Sequence, residues 1–303
     1  MRSTTKFREL IARGPTVAPS VFDCLSARLA ERAGFEAVHL AGSGVEAALL
    51  GAPDLGLLSM SEFAAHAARI AAAVEIPVIA DIDSGFGGVL SIQRTIREME
   101  RAGVAGVHLE DQASPKTCPF LDGRKVVGRT EALDRLKAAL DARQDPDFVI
   151  IARTDADVVS DAEVVERCSL FLETGADVAF PIFLSCAGES YYQLSPERQA
   201  EVIRRIPKQI DGPIMYMGAP APEGMTLFDV ADAGWRFVLN ATACFGAAAN
   251  AMAAVLAEVR ETGSDRGHVR AHPGPYHDGL EYMRLFHLDA YVETERRFTT
   301  HGR

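Results

Sequence analysis

Short apolar runs alternate along the chain with longer stretches in which apolar residues return every third or fourth position. The short runs predict buried strands, and the longer stretches predict amphipathic helices. Strands are expected at 16–21, 37–41, 78–81, 106–110, 148–153, 178–182, 213–217 and 236–239. Helices are expected at about 25–33, 61–73, 91–102, 130–142, 162–174, 196–206, 227–233 and 247–262, with a further one near 276–295. Four helix-to-strand joints carry glycine just past the helix, at Ala33-Gly34, Ala102-Gly103, Thr174-Gly175 and Ala233-Gly234. Glycine there supplies a left-handed cap that other residues resist. Eight strand–helix units with short joints predict an α/β chain closed into one (β/α)8 TIM barrel. The expected organisation is a single domain over residues 1–303, with 263–303 as a C-terminal helical extension. One joint, Asp111 to Gly128, is long. A loop of that length in a compact barrel predicts a functional lid.

The strand ends carry the chemistry. They read Ile76-Pro-Val-Ile-Ala-Asp81-Ile-Asp83, Gly106-Val-His-Leu-Glu110-Asp111, Phe148-Val-Ile-Ile-Ala-Arg153-Thr154-Asp155 and Glu36-Ala-Val-His39-Leu-Ala-Gly42-Ser43-Gly44. Charges gathered at C-terminal strand ends mark the active face of such a barrel. Asp81 and Asp83 are two positions apart, so on a strand they share a face. Two hard oxygen donors aimed at one point suit Mg2+ or Mn2+, and Glu110 on the next strand can hold a metal-bound water. The same residues can instead end strands and cap helices. The Arg153 fork matches a carboxylate or phosphonate, or else forms a structural pair with Asp155 or Glu110. Gly42-Ser43-Gly44 reads as a turn whose N–H groups cradle an anion. Asp54 either reaches the metal shell or forms a turn. His39 is a pocket residue or a barrel-core histidine. In the long loop Cys118 follows Lys116 by two residues. A nearby ammonium favours the thiolate, and a thiol can donate a proton; an incidental loop cysteine is the competing reading.

Composition narrows the partners. With 31 basic and 42 acidic residues the net charge is −11, which disfavours nucleic acid and anionic membrane surfaces. The five cysteines show no Cys-x-x-Cys spacing, so a disulfide framework is not expected and a cytoplasmic location is. Cys24, Cys168, Cys186 and Cys244 sit in apolar surroundings and are expected in the core. The charged amphipathic start is not expected to be a signal peptide. The apolar stretch from Ala243 to Val259 is short for a membrane span; an alanine-rich helix packed on protein is expected.

Taken together, Asp23-x-Leu-Ser-Ala, Gly42-Ser-Gly, Leu50-Gly-Ala-Pro-Asp-Leu-Gly, Asp81-x-Asp-x-Gly-Phe-Gly, Glu110-Asp-Gln, Pro115-Lys-Thr-Cys118 and Asp147-Phe-Val-Ile-Ile-Ala-Arg-Thr-Asp-Ala156 resemble the isocitrate lyase / phosphoenolpyruvate mutase superfamily. The resemblance is in register over about 20–156 and looser beyond. It implies a barrel whose last helix is exchanged between subunits in a homotetramer, a dimer of dimers. It implies Mg2+ near Asp81, Asp83 and Glu110, with Asp54 in support. It also implies a mobile loop at Cys118, and a small 2-oxo or 2-hydroxy acid on Arg153. The candidate catalytic residues are therefore Cys118, Arg153, Glu110 and Lys116. The candidate substrate contacts are His39, Gly42, Ser43, Gly44, Asp54, Asp81, Arg153, Ile182 and Met217.

The chain also departs from that pattern. Lyases of the family resemble Lys-Lys/Arg-Cys-Gly-His in the loop, whereas this chain reads Pro115-Lys-Thr-Cys-Pro-Phe120 and continues Leu121-Asp-Gly-Arg, like the phosphonate branch. Where lyases carry polar anchors after strands six, seven and eight, it has Ile182, Tyr216-Met217 and Phe245-Gly246. The expected function is Mg-dependent C–C cleavage of a methylisocitrate- or alkylmalate-like 2-hydroxy acid to a 2-oxo acid and a second carboxylate. The alternatives are a phosphonomutase or phosphonopyruvate hydrolase, an oxaloacetate decarboxylase, and a non-catalytic ligand binder.

Overall fold

Eight parallel strands form one sheet in a computed structural model that describes residues 1–119, 121, 123–218 and 221–299. Phe120 and Asp122 of the loop motifs lie outside the described residues. The barrel strands are β1 (Thr16–Val21), β2 (Val38–Leu40), β3 (Val78–Asp81), β4 (Gly106–Glu110), β5 (Val149–Thr154) and β6 (Val178–Pro181). A two-stranded antiparallel insert, β7 (Ser185–Cys186) and β8 (Glu189–Ser190), precedes β9 (Met215–Gly218) and β10 (Phe237–Asn240). The sheet order is β6-β5-β4-β3-β2-β1-β10-β9, and the outer strands β6 and β9 meet through a single bridge, Ala179 to Ile214. This is the expected (β/α)8 barrel.

Helix α1 (Ser3–Arg13) precedes β1, and α2 (Cys24–Arg32) follows it. Next come α3 (Gly42–Leu50), α4 (Met60–Ala73), α5 (Val89–Arg101), α6 (Arg129–Ala142) and α7 (Asp161–Thr174). The series continues with α8 (Pro196–Arg205), α9 (Leu227–Asp232) and α10 (Ala243–Thr262), then α11 (Arg266–Ala271), α12 (Gly279–Arg284) and α13 (Leu288–Phe298). The chain forms two compact units, Met1–Phe245 and Gly246–Arg303.

Most predicted boundaries hold to within two residues; the eighth expected helix begins at Ala243 and not at 247, and α1 was not among the expected helices. The seventh barrel strand begins at Met215 and not at residue 213, because Pro213 has no N–H to place in a ladder. The helix expected over 276–295 is broken: Asp278 caps α12 by accepting from Leu280 and Glu281 N–H, and His287 takes a left-handed φ of 58° before α13. The apolar helix after β10 forms as α10; it has 20 residues and is apolar enough by length and composition to cross a membrane. Cys168 and Cys186 are buried as expected; Cys24 and Cys244 are only half-buried, since each lies at a helix start and not inside a strand.

Two-residue alternation sorts every strand. Ile150 and Ala152 of β5 face the outer helices, while Val149 and Ile151 face the barrel axis. The axis is filled from below by α1, whose Phe7 packs edge-on against Phe237 with centroids 5.2 Å apart. Toward the C-terminal ends the same alternation brings Asp81, His108, Glu110 and Arg153 inward on β3, β4 and β5. It brings Phe180, Ile182, Met217 and Leu239 inward on and beyond β6, β9 and β10. The mouth is thus charged on one side and apolar on the other. Gly106 lets β4 and β5 approach, for a Cβ there would stand 2.6 Å from the Val149 carbonyl oxygen. Gly106→Ala is expected to lower unfolding free energy by about 1–3 kcal/mol in urea titrations.

Candidate active site

Asp81 closes β3 and turns into the barrel. Its Oδ1 accepts the Asp83 N–H at 3.0 Å and its Oδ2 accepts the Gly42 N–H at 3.4 Å. Asp83 lies past the strand at φ 48°. The predicted shared strand face is therefore replaced by a left-handed turn that brings Asp83 back over Asp81. Gly42-Ser43-Gly44 is the first turn of α3 and not a free loop. The sequence hides this because the N-cap position, Ala41, has no side chain to cap with. The Gly42 N–H is directed at Asp81, Ser43 is exposed, and a Cβ at Gly44 would stand 2.8 Å from Phe22 Cβ.

Lys116 reaches from the long loop into this acidic corner. Its ammonium, on a side chain only 6% exposed, donates to Asp54 Oδ1 at 2.7 Å and to Asp83. Cys118 is half-buried two residues further along. Asp54 is held in place by Glu46, whose buried carboxylate accepts from the N–H groups of Leu55, Leu57 and Leu58. The loop's base is an antiparallel neck: Gln112 bridges Val126, and the Ala113 N–H donates to Lys125 O at 2.8 Å.

Arg153 lies on the inner face of β5, fully charged and buried. Its Nε and Nη2 donate to Asp155 at 2.8 and 3.0 Å, and its Nη1 stands 3.1 Å from Glu110 Oε2. Both structural pairings exist: Asp155 takes two of the five guanidinium N–H donors, and Glu110 is an ion-pair partner without an aligned hydrogen bond. Asp155 also accepts from Arg124 at 2.9 Å and Gln112 at 3.4 Å, so both ends of the loop share the carboxylate that orients Arg153. Behind it Asp111 accepts from the Thr154 hydroxyl, the Asp155 N–H and Arg167.

His39 belongs to a buried polar row along the axis. Ser20 Oγ lies 2.9 Å from His39 Nδ1, His39 Nε2 lies 2.8 Å from His108 Nε2, and His108 Nδ1 lies 3.5 Å from Asp81 Oδ1. Ser20, His108 and Arg124 join the site without having been expected in it, whereas Asp155 is the expected partner of Arg153. The signal for His108 was its period-two relation to Glu110.

Burial pushes the His39 imidazole down to about 3, with His108 adding to the effect, and pushes His108 down to about 4. Both rings are neutral at pH 7. Burial and then the Asp81 charge raise Asp83 to about 7, against Lys116. Burial also raises Glu110 far above the carboxylate range, although Arg153 opposes it. For Lys116, burial favours the neutral amine, and Asp83, Asp81, Glu110 and Asp54 more than offset it.

The donor set fits a hard divalent cation. Asp54, Asp81, Asp83 and Glu110 offer only oxygen. Both Glu110 carboxylate oxygens are buried without an aligned hydrogen bond. Among the described residues no three His, Cys, Asp or Glu side chains form a group that could hold an ion alone.

The ion network continues outward to Glu163 on α7, which accepts from Arg129 and from Arg167. The Arg129 hydrogen bonds come first among the causes that lower Glu163 from 4.5 to about 2. A carboxylate lowered on folding stabilises fully above its ordinary value and loses that contribution as pH falls. Thermal unfolding of wild type and Glu163→Gln is therefore expected to differ most above about pH 4.5 and to converge toward about pH 2.

A family model described as phosphoenolpyruvate phosphomutase matches residues 7–260. The chain is 45% identical over 182 residues to 2,3-dimethylmalate lyase of Eubacterium barkeri; the match covers 59% of this chain and 63% of that protein's length. It is 38% identical over 261 residues to a 2-methylisocitrate lyase of Aeropyrum pernix, covering 86% of this chain and 80% of that one. Among solved structures, 2,3-dimethylmalate lyase superposes with a TM-score of 0.84 at 29% identity, covering 98% of this chain and 95% of that one. Phosphonopyruvate hydrolase in complex with oxalate and Mg2+ superposes at 0.82 with 29% identity, covering 98% and 99%. The chain belongs to the phosphoenolpyruvate phosphomutase family, within the phosphoenolpyruvate mutase/isocitrate lyase superfamily.

Proposed function

We propose that this protein is a cytoplasmic, divalent-metal-dependent carbon–carbon lyase. It cleaves an alkylated 2-hydroxy dicarboxylic acid to a 2-oxo acid and a second carboxylate. The observation that carries this reading is the divided mouth: carboxylates and Arg153 on β3 to β5, apolar Ile182 and Met217 opposite. A methylisocitrate-like tricarboxylate would bring a third anionic group to that apolar wall. The likeness to 2,3-dimethylmalate lyase supports the alkylated class.

Asp81 and Asp83, with Glu110 and Asp54 through water, would hold Mg2+ or Mn2+, which supplies Lewis-acid polarisation of the substrate's 2-oxygen. The Arg153 N–H donors not bonded to Asp155 take the adjacent carboxylate and stabilise charge as it grows. The 2-hydroxyl proton passes to water, C2 becomes the carbonyl of the 2-oxo acid as the bond between C2 and C3 breaks, and the electron pair of that bond stays on C3 as an enolate. The Cys118 thiol gives C3 its proton, and water re-protonates the thiolate. Lys116, bonded to Asp54 and Asp83, seats the loop over the reacting atoms. His39, Gly42 and Gly44 shape the floor, with Ser43 at the rim.

A second reading, P–C bond chemistry, draws on Pro115-Lys-Thr and the 121–124 motif of the loop. One NMR panel separates the two. Alkylmalates, methylisocitrate, oxaloacetate and phosphonopyruvate are incubated with Mg2+, and products are followed by proton and phosphorus signals. A 2-oxo acid from an alkylmalate, lost with EDTA, is expected; a phosphorus shift without C–C cleavage rejects the lyase. Cys118→Ser is expected to lower kcat by about 10²-fold or more with the melting temperature unchanged; an unaltered kcat removes the acid role.

The unburied apolar positions of α10, with Met252 and Leu256 more than half exposed, support exchange of this helix between subunits of a homotetramer. Light scattering is expected to give a mass near four times 32.6 kDa; a monomer mass overturns the exchange.

A further inference from the structure

The barrel wall has one open seam. Between β6 and β9 the Ala179–Ile214 bridge is the one pairing among the described residues. Past that bridge, toward the mouth, lies a cavity of about 30 Å3. Ile182 and Met217, from the apolar side of the mouth, line it together with Val202, Tyr191, Tyr216 and Trp235. The seam adjoins the reacting end of the site. Thr154 pairs with Pro181, the Ile182 N–H donates to Thr154 O, and the Arg153 guanidinium carbon stands 5.6 Å from the Phe180 ring centroid.

Three properties define what the cavity can hold. A water-sized group needs about 10–15 Å3, so it takes roughly two to three non-hydrogen atoms. No charged side chain lines it, and an ion there would be desolvated without a partner. It also contains unused donors. Tyr191 and Tyr216 line the cavity and are more than nine-tenths buried. Neither hydroxyl has a hydrogen-bond partner among the described residues, so each keeps a buried O–H without an acceptor. Gly218 makes the arrangement possible, because a Cβ at that position would overlap Tyr216 Oη.

We infer that this seam is the subsite for a short uncharged branch of the substrate, two to three non-hydrogen atoms long and bearing a hydrogen-bond-accepting oxygen, such as a hydroxyethyl or acetyl group. The inference rests on the 2-hydroxy acid reading above and specifies the substituent on C3.

Calorimetric titration with Mg2+ present tests it, in the Cys118→Ser background so that turnover is held down. The probes are malate and malates carrying propyl, 2-hydroxyethyl or carboxymethyl on C3. The 2-hydroxyethyl compound is expected to bind about tenfold more tightly than malate and about fivefold more tightly than the propyl compound, with the carboxymethyl compound weakest. Tyr216→Phe is expected to bring the hydroxyethyl-to-propyl ratio to about one. Malate binding with no gain from any branch overturns the subsite alone, as does tightest binding of the carboxymethyl compound. An unchanged ratio in Tyr216→Phe removes the phenol from the recognition. Binding of none of these acids overturns the subsite and the 2-hydroxy acid reading together. If Tyr216→Phe does not fold, the ranking of the four acids still decides.

Discussion

A guanidinium buried inside a barrel needs negative charge within reach, and Arg153 governs the mouth through that need. Leaving such an ion without one of its partners costs about 3–5 kcal/mol. Asp155 supplies that charge through two hydrogen bonds, and Glu110 stands 3.1 Å from Nη1. Asp155 in turn is a dense negative centre that Arg124 and Gln112 help to balance. Asp111, Arg167 and Glu163 extend the same alternation of charge to the outer helices. The candidate site is thus the inner end of an ion network that also ties β4, β5, the long loop and α7 together. Its geometry is maintained by folding itself, since no member can be withdrawn without exposing its neighbour's charge to a low-dielectric interior.

The two halves of the mouth obey different physics. On β3 to β5 every inward position near the strand ends is charged or an imidazole, and orientation comes from directional hydrogen bonds. Around β6, β9 and β10 the inward positions are Phe180, Ile182, Met217 and Leu239, and selection there is by shape and by the cost of desolvating anything charged. A substrate spanning the opening meets strong electrostatics at one end and steric fit at the other. Chemistry and specificity can then be assigned to separate walls.

Much of this was legible in the chain. The strand ends at Asp81, Glu110 and Arg153 stood out because parallel barrel strands are otherwise apolar, and the loss of polar anchors at Ile182 and Met217 was visible by position. What escaped was what depends on backbone geometry or on distant pairing. Gly42-Ser43-Gly44 reads locally as a turn, yet it forms the first turn of the helix that Glu46 to Leu50 favour, with the Gly42 N–H on Asp81. The left-handed turn at Asp83 cannot be read from the spacing of two aspartates. Arg124 and Asp155 are far apart in sequence, and nothing local marks them as partners. The row of Ser20, His39 and His108 joins three strands and becomes apparent only when their register is known.

The seam between β6 and β9 also bears on how such a protein can change. Seven strand junctions in the barrel are continuous ladders, and a substitution in any of them disturbs backbone pairing on two sides. The eighth rests on one bridge. Side chains along it can grow, shrink or exchange polarity with little penalty to the ladder beside them, while the carboxylates and arginine on the opposite arc stay locked. A lineage built on this barrel can therefore drift among substrates without first losing its reaction.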